Sequence, residues 1–178
     1  AGNSSTPSNA NTFVSDITPP AAQISLNTTA GGLTNINNLN GKVTFGEPVT
    51  GNLSINDFTV VNATVSNISG PDANGIYTFN LNPIANGLVA VSLNPSSITD
   101  IAGNSATPAS SFDFTFDNSS ATPTIFLNPV PNNASNALSF FGSVAFGETV
   151  TGTLLSSDFK LTNANVSDIS GPNAIGNY

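Results

Sequence analysis

The chain has 178 residues, of which only 7% are charged, and its formal net charge is −8 with two basic side chains, Lys42 and Lys160. This balance excludes nucleic acid as a partner, since almost nothing is present to neutralise phosphates, and it disfavours an anionic membrane surface. Cysteine and histidine are absent, which removes disulfides and the most common catalytic acid, base and nucleophile. No apolar run approaches the ~20 residues that a membrane helix needs.

Short β-rich segments follow one another between residues 18 and 117, and turn residues separate them. Alternation is clearest at Tyr77–Leu81 and Phe112–Phe116, where every second residue is large and apolar, as a half-buried strand requires. No helical periodicity occurs, so we predict an all-β fold. The predicted strands are Gln23–Leu26, Lys42–Phe45, Phe58–Val61, Thr64–Ile68, Ile76–Leu81, Leu88–Leu93 and Ser111–Phe116.

The chain also repeats itself. Residues 1–77 align with residues 102–178 without a gap, at a constant offset of 101, and 34 of the 77 paired positions are identical. Phe45–Gly51, for example, returns as Phe146–Gly152. A fixed period indicates a tandem array, and about 100 residues is the size of one β-sandwich domain.

The period predicts three segments. Residues 1–17 form the last strand and linker of a preceding truncated repeat, residues 18–117 form one complete repeat, and residues 118–178 form the first part of a following truncated repeat. Linkers are expected at Asp16–Ala21, where Pro19 and Pro20 favour an extended backbone, and at Asp117–Pro123. Both ends of the chain are expected to be cuts within a longer polypeptide.

Several motifs in this unit resemble the bacterial Ig-like repeat domains of giant secreted cell-surface adhesins. The segments that carry the resemblance are Val43–Gly51, Asp57–Val60, Asn62–Gly70, Tyr77–Phe79 and Ile98–Asn104. The resemblance implies tandem immunoglobulin-like β-sandwich repeats of about seven strands, joined head to tail. It implies a non-enzymatic stalk on the bacterial cell surface, in a biofilm, attachment or gliding adhesin. Glu148-Thr149 departs from the Glu-Pro form of the first copy.

Acidic residues are placed at one end of the sandwich by the expected antiparallel topology. If consecutive strands run antiparallel, Asp16, Glu47, Asp57, Asp72, Asp100 and Asn104 all fall at the pole where the chain enters. Calcium takes 6–8 oxygen ligands in irregular geometry, so we predict an interdomain Ca²⁺ site. The leading ligands are Asp16, Glu47, Asp100 and Asn104, with Asp57 as a further candidate and Asp117 and Glu148 in the next copy. The resemblance points the same way.

A simpler interpretation of these residues remains open. Asp and Asn are favoured turn residues, so Asp100 or Asn104 could only close a loop through side-chain to backbone hydrogen bonds, and Glu47 could face solvent. A glycosidase-type carboxylate pair, Glu47 and Asp57, is disfavoured because both return as Glu148 and Asp158 in the second copy. We therefore expect neither an enzyme nor a cofactor other than calcium.

Two alternatives to a stalk stay open: a repeat that itself binds a glycan or a cell surface, and a subunit of a self-assembling surface layer or fibre. Edge-strand addition would serve the second, but residues 1–16 supply one strand where residues 118–178 lack about two. Phe140-Phe141 replaces Leu39-Asn40 and is interpreted as core or edge cover rather than an exposed patch. Neighbouring repeats of the same chain are the expected partners, with lateral self-association as a further possibility.

Overall fold

The computed structural model describes residues 1–4, 12–128 and 138–178. The chain divides into two compact units, Ala1–Asn118 and Ser119–Tyr178, called here the first unit and the second unit. Almost all regular structure in both is β-strand, and the only helical elements in the described ranges are two three-residue 3-10 turns. The prediction of an all-β fold is confirmed.

All seven predicted strands are present in the first unit, and two of them have the predicted bounds. Three two-residue strands and a 3-10 turn at Ile55–Asp57 were not predicted. The strands are β1 Gln23–Leu26, β2 Leu33–Thr34, β3 Leu39–Thr44, β4 Val49–Thr50, β5 Phe58–Val61, β6 Ala63–Ser69, β7 Tyr77–Pro83, β8 Gly87–Leu93, β9 Thr99–Asp100 and β10 Ala109–Phe116.

These strands form a two-sheet sandwich. One sheet has the order β1-β3-β7-β6 and the other β2-β10-β8-β5, while β4 and β9 pair with each other at one end. Every pairing in the two large sheets is antiparallel except that of β2 with β10. Two four-stranded sheets in this order are the arrangement of an immunoglobulin-like sandwich, so the predicted fold class is confirmed for the first unit.

The inward-facing residues of the two sheets form the core. Because side chains alternate along a strand, β7 buries Tyr77, Phe79 and Leu81 while Thr78 remains exposed. The Phe58 and Phe79 rings meet across the sandwich with centroids 5.0 Å apart. A Cβ added to Gly41 of β3 would overlap the Phe79 ring, so this position needs glycine. With so few charges, burial of such side chains must supply most of the stability.

The chain enters and leaves the first unit at opposite ends of β10. At the entry, Ala21 forms a parallel bridge with Thr107, just before β10 begins. At the exit, the Asp117 amide donates to the Thr34 carbonyl at 2.9 Å, just after β10 ends. Eight residues of strand at about 3.3 Å each separate the two poles by ~26 Å.

The second unit contains β11 (Thr124–Asn128), β12 (Phe141–Ala145) and a 3-10 turn at Ser156–Asp158. Ile125 pairs with Val144 in the same register as Ile24 with Val43 in the first unit. The Tyr178 hydroxyl donates to the Gly152 carbonyl at 2.6 Å, as Tyr77 does to Gly51 at 2.8 Å. The local structure of the first copy therefore recurs, while an array of complete tandem domains stays a prediction.

Candidate functional site at the entry pole

Three carboxylates from distant parts of the sequence meet at the entry pole of the first unit. Asp16 lies in the segment that leads into β1, Glu47 in the turn between β3 and β4, and Asp100 at the end of β9. Pairing of Val49 with Asp100 brings the Glu47 turn beside β9. Oxygen atoms of the three side chains all lie within 4.8 Å of one another.

Asp100 is the buried member of the group, with 4% of its surface exposed. Burial by itself would raise its pKa, but hydrogen bonds from the Asn104 side chain and from the backbone amides of Asn104, Gly103 and Ala102 outweigh it. The pKa of Asp100 is therefore below its ordinary value, because these donors favour the charged form. The side chain is held as a carboxylate in a tight turn.

Asn104 ties the incoming segment to this turn. Its backbone amide donates to Asp100 Oδ1 at 2.8 Å, and its side-chain nitrogen donates to Asp100 Oδ2 at 2.7 Å. The same nitrogen donates to the Asp16 carbonyl at 3.1 Å. Asn104 thus presents a donor, not an oxygen, to the carboxylates, and both interpretations of Asp100 and Asn104 as turn residues and as neighbours in a site hold at once.

The chemistry of this carboxylate group fits a hard divalent cation. Three like charges within 4.8 Å repel one another, and a cation that bridged them would remove that repulsion. Carboxylate oxygens are the ligands that Ca²⁺ prefers, and its irregular coordination suits donors from three separate turns. Asp16, Glu47 and Asp100 are the side chains that could hold it, and Asp16 would bring the incoming segment into the site.

Asp57 and Asp72 have local structural roles instead. Asp57 Oδ2 accepts from the Ser54 amide at 2.7 Å and from the Ser54 hydroxyl at 2.9 Å, which closes the 3-10 turn. Asp72 Oδ1 accepts from the amides of Asn74 and Ile76. Neither belongs to the group of three carboxylates found among the described residues.

The second copy supports a turn role for these two positions. Asp158, the repeat partner of Asp57, accepts from the Leu155 amide at 2.8 Å and closes the matching 3-10 turn. At the position of Asp72 stands Asn173, whose Oδ1 accepts from the amides of Ile175 and Asn177. An uncharged amide performs the same task there, so the turn requires an acceptor and not a charge.

The two candidates of the next copy lie in different units. Asp117 is at the exit pole of the first unit, where its Oδ1 accepts from the Asn86 side chain at 2.8 Å. Asn86 Oδ1 in turn accepts from the Asn118 amide at 3.0 Å. Glu148 lies in the second unit, in the turn after β12, and is half-buried. Each is described within its own unit.

Asn86 is a residue that sequence reasoning missed. It lies between β7 and β8 and grips the outgoing segment at both Asp117 and Asn118. The only sequence signal was the pair Asn86-Gly87, which was interpreted as a simple turn. The first unit therefore holds the incoming segment through Asn104 and the outgoing segment through Asn86.

Among the residues that the structure describes, no helix has the length and apolar character needed to cross a membrane. The family model of the bacterial Ig-like domain matches residues 16–116. The match begins at Asp16 and ends with β10, so it covers the whole sandwich of the first unit. No curated protein and no solved structure gives a significant match to the chain.

Proposed function

Because the chain belongs to the bacterial Ig-like domain family, we propose that it is a structural spacer in the stalk of a long extracellular filament on a bacterial surface. In this proposal the repeat provides length and stiffness and projects a distal binding domain. The filament would be an adhesin of the biofilm, attachment or gliding kind, and recognition of its target would lie outside these residues.

The observation that carries this proposal is the position of the two poles. A module that receives the chain at one end and releases it at the other adds its full length to an array, whereas entry and exit at one end would fold the array back. Asn104 and Asn86 hold the two segments to their poles by side-chain hydrogen bonds. Repeats that contact only their neighbours are the general design of such arrays.

Small-angle scattering of tandem arrays tests the spacer. Proteins with two, three and four copies of residues 16–117 are compared at the same ionic strength. The maximum dimension is expected to grow linearly, by at least ~26 Å per copy from the length of β10 alone. A compact array whose radius of gyration follows the scaling of a single globule would contradict the proposal.

We further propose that Asp16, Glu47 and Asp100 bind Ca²⁺ and so stiffen the joint between repeats. The support is that residues chosen from topology alone have oxygen atoms within 4.8 Å of one another. Asp16 precedes the sandwich, so a cation shared by these three carboxylates would fix the incoming segment. Ligand that binds only the folded state raises its stability by mass action.

Thermal melting of the full chain tests the cation. Calcium at about a hundredfold excess over its dissociation constant is expected to raise the Tm by several degrees relative to chelator. Glu47→Gln should remove most of this rise, because it removes one ligand charge. Asp113→Asn is the matched control, since it removes an exposed charge on β10. Equal melting with calcium and with chelator, and no bound metal by elemental analysis, would reject the site.

The outer face of the second sheet favours a second candidate function, lateral assembly into a layer or fibre. Leu33 and Leu88 lie in one row across β2, β10 and β8, since each pairs with Thr115. They are 72% and 59% exposed, and Val61 on β5 is 53% exposed. Sedimentation distinguishes the two functions: association that Leu88→Ser abolishes supports the layer, and a monomer at high concentration supports the isolated stalk.

A further inference from the structure

The second unit presents half of a sandwich core. Its strands keep the register of the first unit, and its Phe146 and Tyr178 rings meet edge to face at 6.0 Å, as Phe45 and Tyr77 do in the first unit. The first unit can therefore serve as a template that shows what covers each position of the second unit when the sandwich is whole.

Burial at matched positions differs sharply between the two copies. Leu39 is fully buried, while Phe140 at the same position is 42% exposed. Tyr77 is 1% exposed, while Tyr178 is only half-buried. All five residues of β11 are exposed, including Ile125 at 58% and Leu127 at 42%. This apolar surface, formed by β11, β12 and the side chain of Phe140, is called here the open core.

In the first unit, the matching surface is covered by the segment Phe79–Phe116. Its strand β7 pairs with β3, placing Phe79 opposite Gly41 and Leu81 opposite Leu39. Residues 119–178 contain no repeat counterpart of this segment. Its buried apolar side chains are Phe79, Leu81, Val89, Val91, Leu93, Ile98, Ala109, Phe114 and Phe116.

Gly142 gives the open core a specific recognition feature. It is the repeat partner of Gly41, where an added Cβ would overlap the Phe79 ring. At Gly142 an added Cβ would meet only the flexible end of Leu127 at 3.0 Å and the Phe126 carbonyl at 3.2 Å. Phe159 stands where Phe58 contacts the Phe79 ring in the first unit. The second unit thus offers a glycine-floored slot beside a phenylalanine, shaped for an aromatic ring.

We propose that the open core is a docking surface for a polypeptide segment with the apolar pattern of Phe79–Phe116. The first strand of this segment adds to the free edge of β12 in antiparallel register and places an aromatic ring in the slot over Gly142. The following strands cover the remaining apolar side chains. Backbone hydrogen bonds along the edge give affinity, and the slot gives register and specificity.

The N-terminal segment of a second copy fits this surface less well. Phe13, which is 89% exposed, is the repeat partner of Phe114, which is 1% exposed, so this segment carries the pattern of β10. It contains no counterpart of β7 or β8, and the ring that fills the slot comes from β7. A segment that supplies all three strands is therefore the committed occupant.

The test uses the intact chain and a fluorescent peptide of the sequence Phe79–Phe116. We expect saturable 1:1 binding by anisotropy, with new protection of the Phe141–Ala145 amides in hydrogen exchange. Gly142→Ala should weaken binding by about tenfold, since its methyl group occupies the slot. Gly41→Ala in the first unit should leave the affinity unchanged, which shows that the peptide does not replace its own counterpart there.

A complementary peptide variant makes the test independent of general damage. The Phe79→Ala peptide should bind the original chain more weakly than the unmodified peptide, and should bind the Gly142→Ala chain more tightly than the unmodified peptide does. Absence of binding, or binding that Gly142→Ala does not weaken, would overturn the proposal. Self-association of the chain that Phe13→Ser abolishes would also overturn it, because the occupant would then be a second copy.

Discussion

The first and second units share their turns but not their core. Asn62 and Asn163 both have a φ of 54°, and Gly46 and Gly147 both have a φ of 76°. In both copies the glycine before the tyrosine, Gly75 or Gly176, leaves no room for a Cβ against a glutamate carbonyl. Yet the apolar residues between these turns are buried in one copy and exposed in the other.

This difference separates two levels of structural information. Turn geometry depends on residues a few positions apart, such as the aspartates that close the 3-10 turns, and both copies contain them. Burial depends on strands that pair across long sequence separations, and residues 119–178 have no counterpart of β8 and β10. Substitutions at matched positions should therefore have unequal effects wherever the second level matters.

The largest expected difference is between Leu39→Ala and Phe140→Ala. Leu39 is fully enclosed, so its truncation leaves a cavity and should lower the free energy of unfolding of the first unit by about 2–5 kcal/mol. Phe140 is already 42% exposed and its loss should leave that transition unchanged. Urea unfolding of each full-length variant measures both. Comparable destabilisation of one shared transition would break the comparison.

Gly41→Ala against Gly142→Ala should give the next largest difference. The methyl group at position 41 would overlap the Phe79 ring, and overpacking of this kind costs about 1–3 kcal/mol. The methyl group at position 142 needs only a small shift of Leu127. Circular dichroism melting of the two variants should show a lower Tm for Gly41→Ala alone, and equal Tm values would contradict the assigned packing of β7 on β3.

Tyr77→Phe against Tyr178→Phe removes the same hydrogen bond from both copies. The Tyr77 hydroxyl donates to Gly51 from a buried ring, and its loss should cost about 1 kcal/mol with the Gly51 carbonyl left unsatisfied. Tyr178 is half-buried, so water can replace its hydroxyl at the Gly152 carbonyl with little cost. Chemical denaturation resolves the pair, and a larger effect at Tyr178 would argue against an open second unit.

The smallest expected effect is an alkaline one. Burial raises the pKa of Tyr77 above its ordinary value of 10.0, because the charged form is disfavoured there. The neutral form therefore contributes stability that is complete below about pH 10 and is lost as the pH rises through the folded-state pKa. Tyr77→Phe should flatten the decline of Tm above pH 10, and an unchanged alkaline decline would contradict the cause assigned to the shift.

The sequence predicted the long strands well because their alternation is local. Gln23–Leu26 and Phe58–Val61 were predicted with the bounds that the structure gives them. The two-residue strands could not be predicted, since two residues show no period. Leu33–Thr34, for example, is a strand only because Thr115 and Phe116 of β10 lie alongside it.

The candidate site was predictable only as far as topology allows. Antiparallel strands place Asp16, Glu47 and Asp100 at one pole, and their oxygens lie close together there. Topology does not give the direction of a side chain, so Asp57 was included although it turns back to Ser54. For the same reason Asn104 was predicted as an oxygen ligand, while in the structure its nitrogen faces Asp100.

Hydrogen exchange on the intact chain tests the central contrast most directly, because it reports both copies in one sample. The account predicts that amides of Leu39–Thr44 exchange only through global unfolding of the first unit, at least roughly a thousandfold more slowly than amides of Phe141–Ala145. Equal protection of these two matched strands would contradict it, since the second unit would then possess a closed core of its own.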